Sequence, residues 1–279
     1  MGGPIWKPVR MCLLRVKTDY LSKMVMNEIF ITKLKDIFRP SYYIYRRIEA
    51  ACKNILFKSK ITDPFSIPII INNRNRLTTL KQLVAALESR GYRNIFILDN
   101  HSSYPPLLDY YRKSPYTIFR LKENLGFLSI WKSGIYKKFY KDFYVYTDSD
   151  VVPIDECPID FMALFKEALV KYPDVQKAGF SLKLDDLPDF YADKESVLEW
   201  EAQYFTPSED DRFYLANIDT TFALYRPGAK GGSSKLKMFR SKYPYEARHM
   251  PWYVDSLNMS DEELYYRRTA QTSTHWSNK

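Results

Sequence analysis

The sequence predicts an α/β fold built on a mostly parallel central sheet flanked by helices. Three observations lead there. Short β-branched and aromatic runs at 67–71, 94–98, 117–121 and 143–147 alternate with segments of helical apolar spacing. The spacing of these runs suits strand–helix–strand units with right-handed crossovers. A polar cluster follows each run, at 72–76, 99–103, 122–126 and 148–150. That is the carboxyl edge of such a sheet, where ligands bind.

The first fifth of the chain is different in texture. Residues 1–60 hold 13 Lys+Arg against 4 Asp+Glu, and the remainder carries 29 of each, so the whole net charge of +9 lies there. Helical apolar spacing runs through 11–39, Pro40 closes it, and 42–57 reads as a second basic helix. The expected organisation is a basic helical extension, 1–60, and a catalytic domain, 61–279. The extension's amphipathic faces fit an anionic membrane surface or an acidic partner, and equally two helices packed on the main domain. A balanced charge elsewhere argues against a nucleic-acid partner.

No apolar stretch nears the roughly 20 residues a bilayer span needs, and the start lacks a secretory pattern. Cys12, Cys52 and Cys157 lie far apart without a CxxC, which fits a reducing compartment. The expected location is cytoplasmic, peripheral on the inner face of the cell membrane.

The elements follow in order. Residues 67–71 form a buried strand and 72–76 its polar exit. Thr78 or Thr79 caps a helix through Leu80, Leu83, Val84 and Leu87, stopping at Gly91. Residues 94–98 are the second strand, 106–111 a short helix, 117–121 the third strand, and 129–139 a helix leading to the fourth strand. Beyond it come a helix at 161–172, a strand at 178–184, an acidic and aromatic excursion at 185–214 and a strand at 218–225. The Gly-rich segment 228–234 is the best candidate for a mobile loop. Ser260 and Glu263 form a capping box that opens a last helix through Arg268.

The fourth strand ends in Asp148-Ser149-Asp150. Strand alternation sends the two carboxylates to one side and Ser149 to the other. Two carboxylates converging at a buried strand end repel each other unless a cation sits between them. Hard ions such as Mg²⁺ or Mn²⁺ take oxygen ligands and leave positions open for phosphate. A metal–diphosphate site is the chemical reading; an ordinary strand-to-turn junction is the other. No Gly-x-Gly-x-x-Gly and no P-loop follows the first strand, which disfavours dinucleotide and Walker-type sites.

The four edge clusters, in this order, resemble the GT-A fold nucleotide-sugar glycosyltransferases, and over 67–152 most resemble glycosyltransferase family 2. Residues 68–76 (PIIINNRNR) stand where that family has a strand ending in a Thr-Tyr-Asn-Arg type loop, and 97–102 (ILDNHS) match its second strand. Residues 123–126 (ENLG) match its Asn-x-Gly segment, and 148–150 its Asp-x-Asp metal motif. The resemblance implies a nucleotide-sugar site from Asn72, Arg74, Arg76, Asp99, Asn124, Gly126, Lys132, Asp148 and Ser149. Asp99 would face the nucleobase. Arg74 departs from the family, standing where an aromatic often stacks on the base.

By the same resemblance, Asp148 and Asp150 hold Mn²⁺ or Mg²⁺, joined by His249 as a C-terminal third ligand; imidazole suits Mn²⁺ better. An inverting enzyme, slightly favoured over a retaining one, needs a carboxylate base. Asp219 is the first candidate, Glu246 the second and Asp186 the third. The activity implied is metal-dependent transfer from a nucleotide diphosphate sugar, with a UDP-sugar favoured. The acceptor is a glycan or lipid-linked glycan, as in surface polysaccharide biosynthesis. The alternatives are an inactive glycan-binding subunit of the same fold and a sugar nucleotidyltransferase.

Overall fold

The computed structural model describes residues 44, 48, 52, 56–218, 221–229, 231 and 237–270. The basic extension therefore lies almost wholly outside the described residues. Its four described positions before 57 are Ile44, Ile48, Cys52 and Leu56, all helical and exposed. Among the described residues, no helix is long and apolar enough to cross a membrane.

Four strands form as their β-branched and aromatic composition predicts: β1 (Ile69–Asn73), β2 (Ile95–Asp99), β3 (Thr117–Arg120) and β4 (Tyr144–Asp148). Between them run α1 (Thr78–Ser89), α2 (Pro105–Lys113) and the short α3 (Ser129–Lys132). Then follow β5 (Val151–Pro153), α4 (Phe161–Lys171), β6 (Val175–Gly179), β7 (Ser181–Leu182), α5 (Lys194–Glu201) and β8 (Phe213–Leu215). The last elements are β9 (Ala223–Tyr225), β10 (Lys237–Ser241), β11 (Glu246–His249) and α6 (Asp261–Thr269).

The main sheet has eight strands in the order β3-β2-β1-β4-β9-β6-β10-β8. Its pairings are parallel except those that β9 makes with β4 and β6, and β8 with β10. A three-stranded sheet, β5-β11-β7, carries the chain away from the end of β4. The mainly parallel sheet flanked by helices is the predicted fold class.

Alternation along the strands divides the core in two. Ile69, Ile71, Val145 and Leu224 join Leu80, Leu83, Leu87, Phe161, Phe165 and Leu169 on the face covered by α1 and α4. Ile70, Tyr144, Tyr146, Ala223 and Tyr225 face the other way, under Ile130 and the Trp131, Tyr136 and Phe139 rings. At the end of the antiparallel β6–β9 pairing, where Gly179 stands opposite Ala223, the backbone is close: a Cβ on Gly179 would meet the Phe222 carbonyl oxygen at 2.2 Å. Only glycine permits that approach.

Several elements differ from the sequence reading. The helix expected over 129–139 breaks after α3, because Gly134 turns left-handed (φ 77°) and the chain resumes as a 3-10 turn, Ile135–Lys138. The strand expected over 178–184 is two strands in different sheets, β6 and β7. The strand expected over 218–225 is confined to β9. The excursion 185–214 contains α5 and β8. Neither Thr78 nor Thr79 caps α1: Leu77 holds the N-cap position and offers no side-chain acceptor. The acceptor comes instead from Glu262 of α6, whose carboxylate takes the Leu77 and Thr78 N–H groups at 3.0 Å each. Most of the Gly-rich loop lies outside the described residues.

Candidate functional site

The site forms where β1, β2 and β4 end together. Register pairs Asn72 with Asp148 and Asn73 with Asp99. The two asparagines point to opposite faces and each fixes one residue of the Asp-Ser-Asp turn. Asn72 Nδ2 donates to Asp148 Oδ1 at 2.9 Å, and Ser149 Oγ donates to Asn73 Oδ1 at 2.6 Å. Asn72 is itself oriented by Ser129, whose hydroxyl donates to Oδ1 at 2.8 Å. With that oxygen taken, the amide N–H₂ must face the carboxylate, so α3 sets the geometry of Asp148 through a buried relay.

Asp150 is half enclosed by side chains from distant segments. His249 Nε2 lies 3.9 Å from its Oδ2, and Arg76 Nε lies 3.8 Å from the same oxygen. Its backbone carbonyl accepts the Met250 N–H at 2.8 Å, and β11 pairs His249 with Val151, so strand pairing brings the histidine there. Burial lowers the His249 pKa, outweighing the pull of Asp150, and keeps the ring neutral. Its Nδ1 is buried without a hydrogen-bond partner, beside the Trp252 ring at 4.7 Å between centroids.

Arg76 is buried between α6 and the turn. Its Nη1 donates to Glu263 Oε2 at 2.8 Å, and the guanidinium lies 3.9 Å over the Tyr266 ring. Ser260 caps α6 by accepting the Glu263 N–H at 3.2 Å. The Glu263 side chain does not complete the capping box: it turns to Arg76 and Arg267.

The remaining predicted residues fall around this centre. Asp99 is fully buried, accepts the Ser102 N–H at 3.1 Å and meets Arg120 at 3.2 Å. The Arg74 guanidinium donates to the carbonyls of Asn100, His101 and Thr269, which ties the loop after β1 to that after β2 and to α6. Asn124 Oδ1 accepts the Gly126 N–H, Gly126 is left-handed (φ 72°), and Lys132 Nζ donates to the Leu125 carbonyl. These contacts shape the 122–126 loop beside the turn.

The three candidate bases separate. Asp219 lies outside the described residues. Alternation along β11 puts Glu246 and Arg248 on one face and His249 on the other, so the structure does not bring Glu246 to Asp150. Burial raises the Glu246 pKa, and Ser181 Oγ donates to it at 3.3 Å. Asp186 meets Arg248 at 2.6 Å and the Tyr253 hydroxyl; burial raises its pKa, but these partners hold it below the ordinary range. Residues missed by sequence reading are Ser129, Glu263 and Tyr266. Only Glu263 carried a signal, as a capping-box member, and that signal pointed to a different role.

The donor set suits a hard divalent cation in kind: two carboxylates and a neutral imidazole. In the conformation described, Asp150 and His249 face each other while Asp148 turns to Asn72. No three such side chains, among the described residues, gather closely enough to hold an ion.

No known family profile matches the chain, and no curated protein matches it. Solved structures do. One is Staphylococcus aureus TarS, residues 1–349, at 11% identity and a TM-score of 0.41, covering 72% of this chain and 68% of that one. Another is GalNAc-T7 with UDP, GalNAc and Mn²⁺, at 14% identity and 0.40, covering 62% and 42%. A third is a cytidylyltransferase from Leptospira borgpetersenii, at 14% identity and 0.32, covering 52% and 77%. The chain thus spans under half the length of the GalNAc-T7 structure. TM-scores this low carry no residue's role across to this chain.

Proposed function

We propose that the chain is a glycosyltransferase that moves a sugar from a nucleoside diphosphate sugar, a UDP-sugar being favoured, to a glycan or lipid-linked acceptor. One observation carries the reading. The polar ends of β1, β2 and β4 meet at a single sheet edge, with Asp148 and Asp150 at the centre and His249 and Arg76 drawn in from distant segments. Carboxylates are not gathered at the mouth of a buried strand without a cationic partner to offset them.

The residues present divide the work. Asp148, Asp150 and His249 would hold Mn²⁺ or Mg²⁺, which supplies charge stabilisation for the departing diphosphate. Asn72, itself oriented by Ser129, aims Asp148, since its amide N–H₂ donates to the carboxylate. The loops after β2 and β3 receive the nucleoside, with Asp99 bracing the first of them from beneath through the Ser102 N–H. Asp219 is the first candidate to take the acceptor hydroxyl's proton, with Glu246 and Asp186 behind it; Asp186 is held by Arg248, and Glu246 faces the other side of β11. Loss of that proton as the bond forms fits an inverting reaction. Membrane-surface docking through residues 1–60 belongs to the same proposal; Ile44 and Ile48, four residues apart and both helical, are exposed.

The test is hydrolysis and transfer with a panel of nucleotide sugars, with and without Mn²⁺, for the wild type and Asp150→Ala. The expected result is a metal-dependent signal with one donor, lowered at least about 100-fold in the variant. Pyrophosphate release from a nucleoside triphosphate and a sugar phosphate would instead favour the nucleotidyltransferase reading. Glycan binding with no nucleotide affinity would favour the inactive subunit.

A further inference from the structure

We propose that the folded domain carries a docking surface of its own for an anionic lipid membrane, formed by Lys137, Lys138 and Lys141 with Lys58 and Lys60 beside them. This rests on the membrane-docking reading above, which gives a part only to residues 1–60.

The surface arises from the segment that follows the break at Gly134. Ile135, Tyr136, Phe139 and Tyr140 pack against the core face that holds Tyr144, Tyr146 and Tyr225. The lysines interleaved with them, at 137, 138 and 141, stay exposed. A second basic segment is fastened to the same place. Asp142 accepts the Ser59 hydroxyl, and the Lys60 N–H at 2.7 Å. The Phe57 ring lies edge-on to Tyr140 with 5.5 Å between centroids. Lys58 and Lys60 are both exposed there.

Five exposed lysines thus gather from two short segments, and among the described residues none of them forms an ion pair with a carboxylate. Asp142, the acid between the segments, is taken up by Ser59, Lys60 and the Phe143 N–H. Residues 61–279 hold 29 basic and 29 acidic side chains, so this cluster is a local excess in a balanced domain. Like charges held close repel, and a surface of opposite sign relieves that cost. An anionic bilayer fits best. Its attraction adds with each lysine near the headgroups. Long lysine stems reach headgroup phosphates, and tyrosines at the base of the patch suit the water–lipid boundary. The chain also enters the domain here from the segment that carries the whole net charge of +9, so both basic regions would meet one anionic surface.

The test is co-sedimentation of the full-length protein with phosphatidylcholine vesicles, with and without phosphatidylglycerol, at low and raised salt. One variant neutralises the patch (Lys137→Gln, Lys138→Gln and Lys141→Gln). A control makes the same charge change on α1, α2 and α4, which cover the opposite face of the sheet (Lys81→Gln, Lys113→Gln and Lys171→Gln). Each is checked for an intact melting transition. The wild type should bind only the phosphatidylglycerol vesicles and leave them as salt rises. The patch variant should bind about 100-fold more weakly, and the control within about threefold of wild type. A folded patch variant that binds as tightly as the control overturns the proposal and leaves docking to residues 1–60 alone. Equal wild-type binding to both kinds of vesicle overturns it too. A wild type that binds neither kind overturns the proposal and the membrane-docking reading together, and points to an acidic protein as the partner.

Discussion

Glu262 tests whether the last helix holds the site's scaffold together. The first N–H groups of a helix have no partner inside it, and α1 follows Leu77, which offers none. Glu262 Oε1 accepts from the Leu77 and Thr78 amides at 3.0 Å each, and Oε2 from the Thr78 hydroxyl at 3.0 Å. Removing a capping acceptor costs about 1 kcal/mol, and a carboxylate at the positive end of a helix adds about 0.3–1 kcal/mol. Glu262→Ala should therefore destabilise the domain by about 1.3–2 kcal/mol, a melting shift of about 3–8 °C for a domain of this size. Glu262→Gln keeps an acceptor and loses only the charge, so its loss should be about 0.3–1 kcal/mol. The charge part should shrink in about 1 M salt, where screening is short-ranged. Circular dichroism melts and urea titrations read all three. A loss under about 0.5 kcal/mol for Glu262→Ala would refute the capping argument.

Further predictions concern packing, titration and the turn. Gly179→Ala places a methyl group 2.2 Å from the Phe222 carbonyl oxygen and 2.9 Å from the Ala223 Cα. Neither backbone atom can yield cheaply, so urea unfolding should show a loss of about 3 kcal/mol or more. Burial raises the Glu246 pKa, so its contribution to stability is present below the ordinary glutamate range and is lost as pH rises through the folded value. Glu246→Gln should accordingly gain on the wild type between pH 4 and pH 8 when urea midpoints are compared; a constant difference would contradict the burial argument. Asp150→Ala should keep a cooperative melt while losing the nucleotide-sugar signal.

Much of the first half of the fold was legible because β1, β2 and β4 are short β-branched and aromatic runs buried on both faces, β3 is a similar run at the sheet edge, and each ends in a polar turn. The later strands hide. Lys237-Met-Phe-Arg-Ser241 and Glu246-Ala-Arg-His249 carry charges inside the fold, where Arg240 meets Glu201 at 2.6 Å and Arg248 meets Asp186. Hydrophobic periodicity fails when buried positions are paired ions. Gly134 breaks a helix whose apolar spacing continues past it, because that spacing serves a 3-10 turn over the same core face.

The site divides in the same way. Asp148 and Asp150 stand out because they close an apolar run. The Arg76–Glu263 contact joins residues 187 positions apart, and nothing local in either segment announces it. Ser129 is likewise ordinary in sequence; its role exists only because α3 sets its hydroxyl 2.8 Å from Asn72.

The most direct measurement of the central claim is amide hydrogen exchange of the full-length protein, with and without UDP and Mn²⁺. A nucleotide-sugar site at the carboxyl edge predicts slowed exchange at 72–76, 99–103, 122–129 and 148–150, with α6 slowed as Arg76 and Glu263 settle around the ligand. Protection confined to other surfaces, or none at saturating UDP and Mn²⁺, would contradict it.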